Sequence, residues 1–99
     1  MKLYYYILCD PDKPNVTKVG ISKNPKQRLK TYKTSSPKCY FLSEYTLPDK
    51  RHEKKILNEL RGAFRVISEV VYADPRLVKN VVESYFSDHD IEFGTPGQI

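Results

Sequence analysis

The chain has 99 residues, a hydrophobic fraction of 39% and a formal net charge of +5, which leaves room for one small domain around a single modest core. No run approaches the roughly 18 apolar residues of a membrane helix, and the N-terminus lacks a signal-peptide pattern. Two cysteines, Cys9 and Cys39, are too few for a disulfide framework and lack a zinc-binding spacing. The expectation is an intracellular protein (cytoplasm, host cytoplasm for a phage or viral chain, or nucleus) with two reduced thiols on strands.

Leu3 to Cys9 is rich in aromatic and branched residues and reads as a strand. Asp10-Pro11-Asp12-Lys13-Pro14-Asn15 is a turn cluster that ends it. Val16 to Ser22 forms a second strand, paired to the first as a hairpin. Asn24-Pro25 supplies an N-cap and a proline at the first helical position, so a helix runs from Pro25 to about Lys33 with Leu29 and Tyr32 on one face. Thr34-Ser35-Ser36-Pro37 breaks it. Cys39 to Leu47 alternates, placing Tyr40, Leu42 and Glu44 on one side and Phe41 and Tyr45 on the other.

Asp49 caps a second helix from Lys50 to Arg61, with Ile56, Leu57 and Leu60 as its apolar stripe and Gly62 as its end. Val66 to Tyr72 contains one short strand. Asp74-Pro75 repeats the cap-plus-proline signal for a third helix reaching about Phe86. Its expected buried face is Leu77, Val78, Val81, Val82, Tyr85 and Phe86. The order β-β-α-β-α-β-α implies an α/β fold with a small, mostly antiparallel sheet flanked by three helices. Residues 1–87 make the domain, and 88–99 form an acidic tail expected to be loosely ordered.

Charge is unevenly placed. Eight basic residues fall between Lys13 and Ser43, where there is no Asp or Glu; from Glu83 onward there are four acids and no Lys or Arg. A one-sided basic field suits a polyanion, and nucleic acid is the commonest. A solvated lysine-rich surface would have the same composition. Lys23, Lys26, Lys30, Lys33 and Lys38 are the candidate nucleic-acid contacts. No GxGxxG or Walker A motif is present, so a nucleotide-binding fold has no support.

A set of motifs carries a more specific signal. Tyr4-Tyr5-Tyr6 lies on the first strand, and Lys18-Val19-Gly20 lies on the second. Arg28 follows Gly20 by eight residues, on the first helix, and Tyr32 lies four beyond it. Glu69 stands late, in Ser68-Glu69-Val70-Val71-Tyr72. In order and spacing this resembles the GIY-YIG nuclease superfamily over about residues 3 to 86, and most closely the branch typified by a phage T5 open reading frame, usually described as DNA-binding. There the two tripeptides face each other on a hairpin, the helix supplies a catalytic arginine, and a late acid holds the metal.

The resemblance implies a catalytic set of Tyr6, Lys18, Arg28, Tyr32 and Glu69. Glu69 would be the ligand of Mg²⁺ or Mn²⁺, with DNA ahead of RNA as partner and a homodimer as one way to widen a small surface. Lys18 replaces the second tyrosine and would serve as a phosphate contact or an activator of water; Tyr4 replaces the first glycine. Each residue also has a plainer reading: Tyr6 as a core tyrosine, Lys18 and Arg28 as solvated charges, and Glu69 as a salt-bridge partner of a basic residue. His52 reads as a surface histidine, and His89 is assigned no role. The leading expectation is a Mg²⁺-dependent endonuclease or nickase. The alternatives are a catalytically weak DNA-binding module of the same fold and a phage or viral accessory interaction protein.

Overall fold

The computed structural model describes residues 2–92. Its elements are β1 (Leu3–Cys9), β2 (Thr17–Ser22), α1 (Pro25–Lys33), β3 (Tyr40–Leu47), α2 (Arg51–Ala63), β4 (Val66–Ile67), β5 (Val70–Val71) and α3 (Pro75–Asp88). The strands form one antiparallel sheet in the order β3-β1-β2-β5-β4. This is the expected fold class with one strand more than expected, because the Val66 to Tyr72 segment doubles back on itself.

β1 is central, and its alternation assigns side chains to two layers. Tyr5 and Ile7 face α2 and α3, in a core with Val19, Tyr45, Ile56, Leu60, Val78, Val82 and Phe86. Tyr6 and Leu8 face the other way, with Cys39, Phe41 and the α1 residues Leu29 and Tyr32. Every residue from Tyr5 to Cys9 is therefore buried, as a strand covered on both faces requires.

The alternation expected for β3 fails at one point. Ile7 pairs with Ser43, but Leu8 pairs with Phe41, so the register shifts at Leu42. A bulge of this kind inserts one unpaired residue and reverses the facing of those beyond it. Phe41 consequently packs on Tyr6 while Tyr45 packs on Phe86, on opposite sides of the sheet.

The helix starts follow the sequence closely. The Asn24 side chain accepts from the Gln27 amide at 3.3 Å and the Asp74 carboxylate from the Arg76 amide at 2.8 Å; α2 differs, with Lys50 and not Asp49 at its N-cap, although the Asp49 carboxylate still accepts from the Arg51 amide at 2.8 Å. Proline stands in the first turn of α1 and α3. The ends follow less well. α2 passes through Gly62, whose position is open to solvent, and stops at Phe64, where the backbone turns extended. Leu77 is 52% exposed and so lies off the inward arc of α3.

Both cysteines are free and buried, with Cys39 just ahead of β3 rather than on it. The expected tail, residues 88–99, lies outside the described residues from 93 onward. Ile91 binds back to the end of α3 through its amide and the Phe86 carbonyl at 2.9 Å. Among the described residues no helix is long and apolar enough to cross a membrane.

Candidate active site

Tyr6 is the natural starting point, since it points from the central strand toward α1. The hairpin register places it opposite Gly20 on β2. A β-carbon at position 20 would lie 2.6 Å from Tyr6 Oη and 2.7 Å from Glu69 Oε2. The missing side chain thus makes the cradle in which a phenol from β1 and a carboxylate from far along the chain approach one point. Tyr6 Oη is also 2.9 Å from Tyr32 Oη, with one hydroxyl donating to the other.

Glu69 reaches this point by a device not evident in the sequence. Val66–Ile67 and Val70–Val71 pair as a hairpin with Ile67 opposite Val70, leaving Ser68 and Glu69 as a two-residue turn. Ser68 adopts φ 56°, the left-handed region that suits glycine or asparagine. Glu69 is therefore at a turn tip rather than within a strand. The Val19 amide donates to the Glu69 carbonyl at 3.0 Å, tying the tip to β2 one residue before Gly20. Among the described residues the Glu69 carboxylate has no salt bridge or hydrogen bond, and the residue is exposed. The salt-bridge reading of Glu69 thus finds no partner there.

The cationic groups lie around this pair. The Lys18 ammonium stands 4.6 Å from the centroid of the Tyr32 ring, a cation–π contact. Arg28 is one helical turn before Tyr32 on α1, is exposed, and forms no guanidinium salt bridge among the described residues. Burial raises the pKa of Tyr6 well above that of an ordinary tyrosine, the bond to Tyr32 and the charge of Glu69 add to the rise, and Arg28 opposes it. Tyr6, Tyr32, Lys18, Arg28 and Glu69 are thus brought into one neighbourhood.

The lysines divide. Lys23, Lys26, Lys30 and Lys33 are all exposed on or beside α1, the helix that covers this face. Lys38 sits in the turn after α1, paired with Asp12 at 3.6 Å in an exposed contact worth little. His52 is not a plain surface residue: it is half-buried on the opposite layer, with Nδ1 2.7 Å from Tyr85 Oη. His89 stacks on Tyr85 there, at 4.0 Å between ring centroids.

Two features had no sequence signal. Burial raises the Glu53 carboxyl pKa and the nearby charge of Glu69 raises it further, so an acid on α2 senses the turn tip. Among the described residues the buried Tyr5 hydroxyl has no hydrogen-bond partner. Among the described residues no group of three or more His, Cys, Asp or Glu side chains is placed to hold a metal. An all-protein cage is therefore absent from this region. The single unpaired carboxylate beside the Gly20 cradle fits a hard cation that keeps most of its waters.

No curated protein and no solved structure matches the chain. A family model does, the T5orf172 domain, over residues 3–86. That span runs from the first residue of β1 to the last buried turn of α3 and includes every member of the constellation, so the chain belongs to the T5orf172 domain family.

Proposed function

We propose that this chain binds nucleic acid and hydrolyses phosphodiester bonds as a GIY-YIG-type endonuclease or nickase, with DNA as its first substrate. The family assignment supports the coarser part, a nuclease-like domain associated with nucleic acid. The approach of Tyr6 Oη and Glu69 Oε2 to the same point at Gly20 carries the finer part. A core tyrosine and a solvated acid have no reason to meet.

Hydrolysis needs an oriented water, compensation of charge on the five-coordinate phosphorus, and help for the leaving oxygen. A tyrosine hydroxyl is neutral near pH 7 and burial raises its pKa further here, so Tyr6 rests as a hydrogen-bonding group. With Tyr32 Oη it would orient the water or a phosphate oxygen. Arg28 and Lys18 would oppose the growing negative charge, and exposed α1 would meet the flanking phosphates with Lys23, Lys26, Lys30 and Lys33. Glu69 would hold Mg²⁺ or Mn²⁺, which when bound supplies charge neutralisation and a more acidic water.

A second reading, a binding module with little catalysis, is favoured by one observation. Lys18 stands where the wider GIY-YIG superfamily has a tyrosine, a lysine being typical of the resembled T5 branch too, and its ammonium lies over the Tyr32 ring. Plasmid nicking with and without Mg²⁺ separates the two. Glu69→Gln should lower cleavage roughly 100-fold or more, about 2.7 kcal/mol of transition-state stabilisation. Metal-free binding should be unchanged or slightly tighter. A folded wild type that binds DNA yet cuts no duplex, branched or single-stranded substrate in Mg²⁺ or Mn²⁺ would leave only the binding module. Affinity that ignores salt would remove nucleic acid altogether and leave an interaction protein.

A further inference from the structure

Next to the Tyr6–Glu69 pair, on the same layer, lies a cavity of about 220 Å³ that the chemistry above does not use. Lys18 and Tyr32 form the wall it shares with the site. Leu8, the next side chain after Tyr6 on this face of β1, lies roughly 7 Å further along the strand and forms the floor with Cys39 and Val70. The mouth is polar, with the Ser35 and Ser36 hydroxyls from the turn after α1 and the Asp10 carboxylate. Lys13 lines it as well, and Lys33 is close enough for its charge to pull the Cys39 thiol pKa down against the effect of burial.

Apolar Leu8, Cys39 and Val70, polar Ser35, Ser36 and Asp10, and the Lys13 and Lys18 cations in one lining match the parts of one nucleotide. We propose that this cavity receives a nucleobase extruded from the strand, the base nearest the phosphate held at Tyr6, so that the protein selects nucleic acid containing an unpaired or mispaired position. The proposal rests on the nucleic-acid reading above and names its substrate class. A base pair cannot enter a space of this size, whereas a lone base can. The cost of unstacking and unpairing falls on the substrate and is least where pairing is already lost. Ser35, which is exposed, and Ser36 line the cavity, and neither residue belongs to the Tyr6, Lys18, Arg28, Tyr32 and Glu69 set.

The test is a metal-free binding titration with the full chain, in EDTA, on two duplexes that differ in one 2-aminopurine, matched in one and mismatched in the other. The mismatched duplex should bind about tenfold tighter, reflecting the smaller unpairing cost, and its emission should rise on binding as the base leaves the stack. Ser36→Trp and Ser35→Trp fill the mouth; each should reduce the preference to about one while leaving binding to matched duplex unchanged. Equal affinity for both duplexes with unchanged emission overturns the proposal and leaves nucleic-acid binding standing. A preference that survives in a folded Trp variant also overturns it, since the base would then be held elsewhere. No binding to either duplex overturns the proposed function itself. Should neither variant fold, the wild-type emission change and affinity ratio decide alone.

Discussion

One face of the sheet carries α2 and α3, and the other carries α1. Beneath α2 and α3, Phe86 meets Tyr5 and Tyr45 edge-on, at 6.3 and 5.0 Å between centroids, and Ile56, Leu60, Val78 and Val82 are fully buried. Beneath α1 the buried set is Tyr6, Leu8 and Cys39, and the helix has no fully buried residue of its own. Full burial of one large apolar side chain contributes about 1.5–3 kcal/mol, so most of the stability must come from the α2–α3 layer. The α1 layer can then keep unpaired charge and an open cavity at little cost, which is how folds often accommodate a site.

The largest effect expected from this division is on stability. Phe86→Ala should lower the unfolding free energy by about 3–5 kcal/mol, read from urea melts, whereas Leu29→Ala on the thin face should cost far less. Equal losses would erase the distinction between the faces.

Alkaline pH sharpens it next. Burial raises the pKa values of Tyr5, Tyr6 and Tyr45 above that of a free tyrosine. Well below pH 10 the folded and unfolded chains both keep these protons, and the tyrosines take nothing from stability; the buried Cys9 and Cys39 thiols, also raised by burial, begin to do so from about pH 9. As pH rises through about 10 the unfolded chain releases protons that the folded chain holds, so stability falls, with a slope that approaches about 1.4 kcal/mol per pH unit for each tyrosine above about pH 11. Tyr85, Cys9 and Cys39 are raised by burial as well, so Tyr6→Phe should remove only a minor share of the slope measured by urea melts between about pH 10 and 11. Loss of most of the slope in that variant would mean the thin face governs alkaline unfolding.

The two faces should also differ toward DNA. Reversing Lys23, Lys26 and Lys30 to Glu should weaken binding and flatten its salt dependence by about one unit of slope per lysine. The same reversal at Lys54, Lys55 and Lys79, on α2 and α3, should change much less. Matching losses would indicate diffuse attraction with no preferred face. The smallest effect concerns the turn tip. Ser68→Gly relieves the positive φ and should stabilise by about 1 kcal/mol at most, since glycine's greater freedom when unfolded offsets part of the gain. Destabilisation in thermal melts would show that the serine side chain contributes to the hairpin.

Residues that act on their neighbours were legible in the sequence. Asn24-Pro25 and Asp74-Pro75 fixed two helix starts, because capping is settled within three residues. The family resemblance singled out Tyr6, Lys18, Arg28, Tyr32 and Glu69, and the fold gathers these five into one neighbourhood. Features set by distant pairing were not legible. Leu42 looks like any strand residue, and only its partners on β1 make it the bulge. β4 and β5 have two residues each, too short for a period to register, so their turn stayed hidden and Glu69 read as a strand position. Gly62 suggested a stop, yet nothing crowds it and the helix passes through. The cavity beyond Lys18 is assembled from four separate segments, and no local pattern encodes it.

The bond from the Val19 amide to the Glu69 carbonyl has a consequence for measurement. That proton is sheltered only while the β4–β5 turn rests against β2. Its exchange with deuterated solvent therefore times the departures of the turn, and the protection factor at this one nitrogen gives the free energy that keeps the acid in position. If the turn lifts easily, the acid spends part of its time away from the tyrosine, and the loss can be read from a single resonance without substrate or metal present.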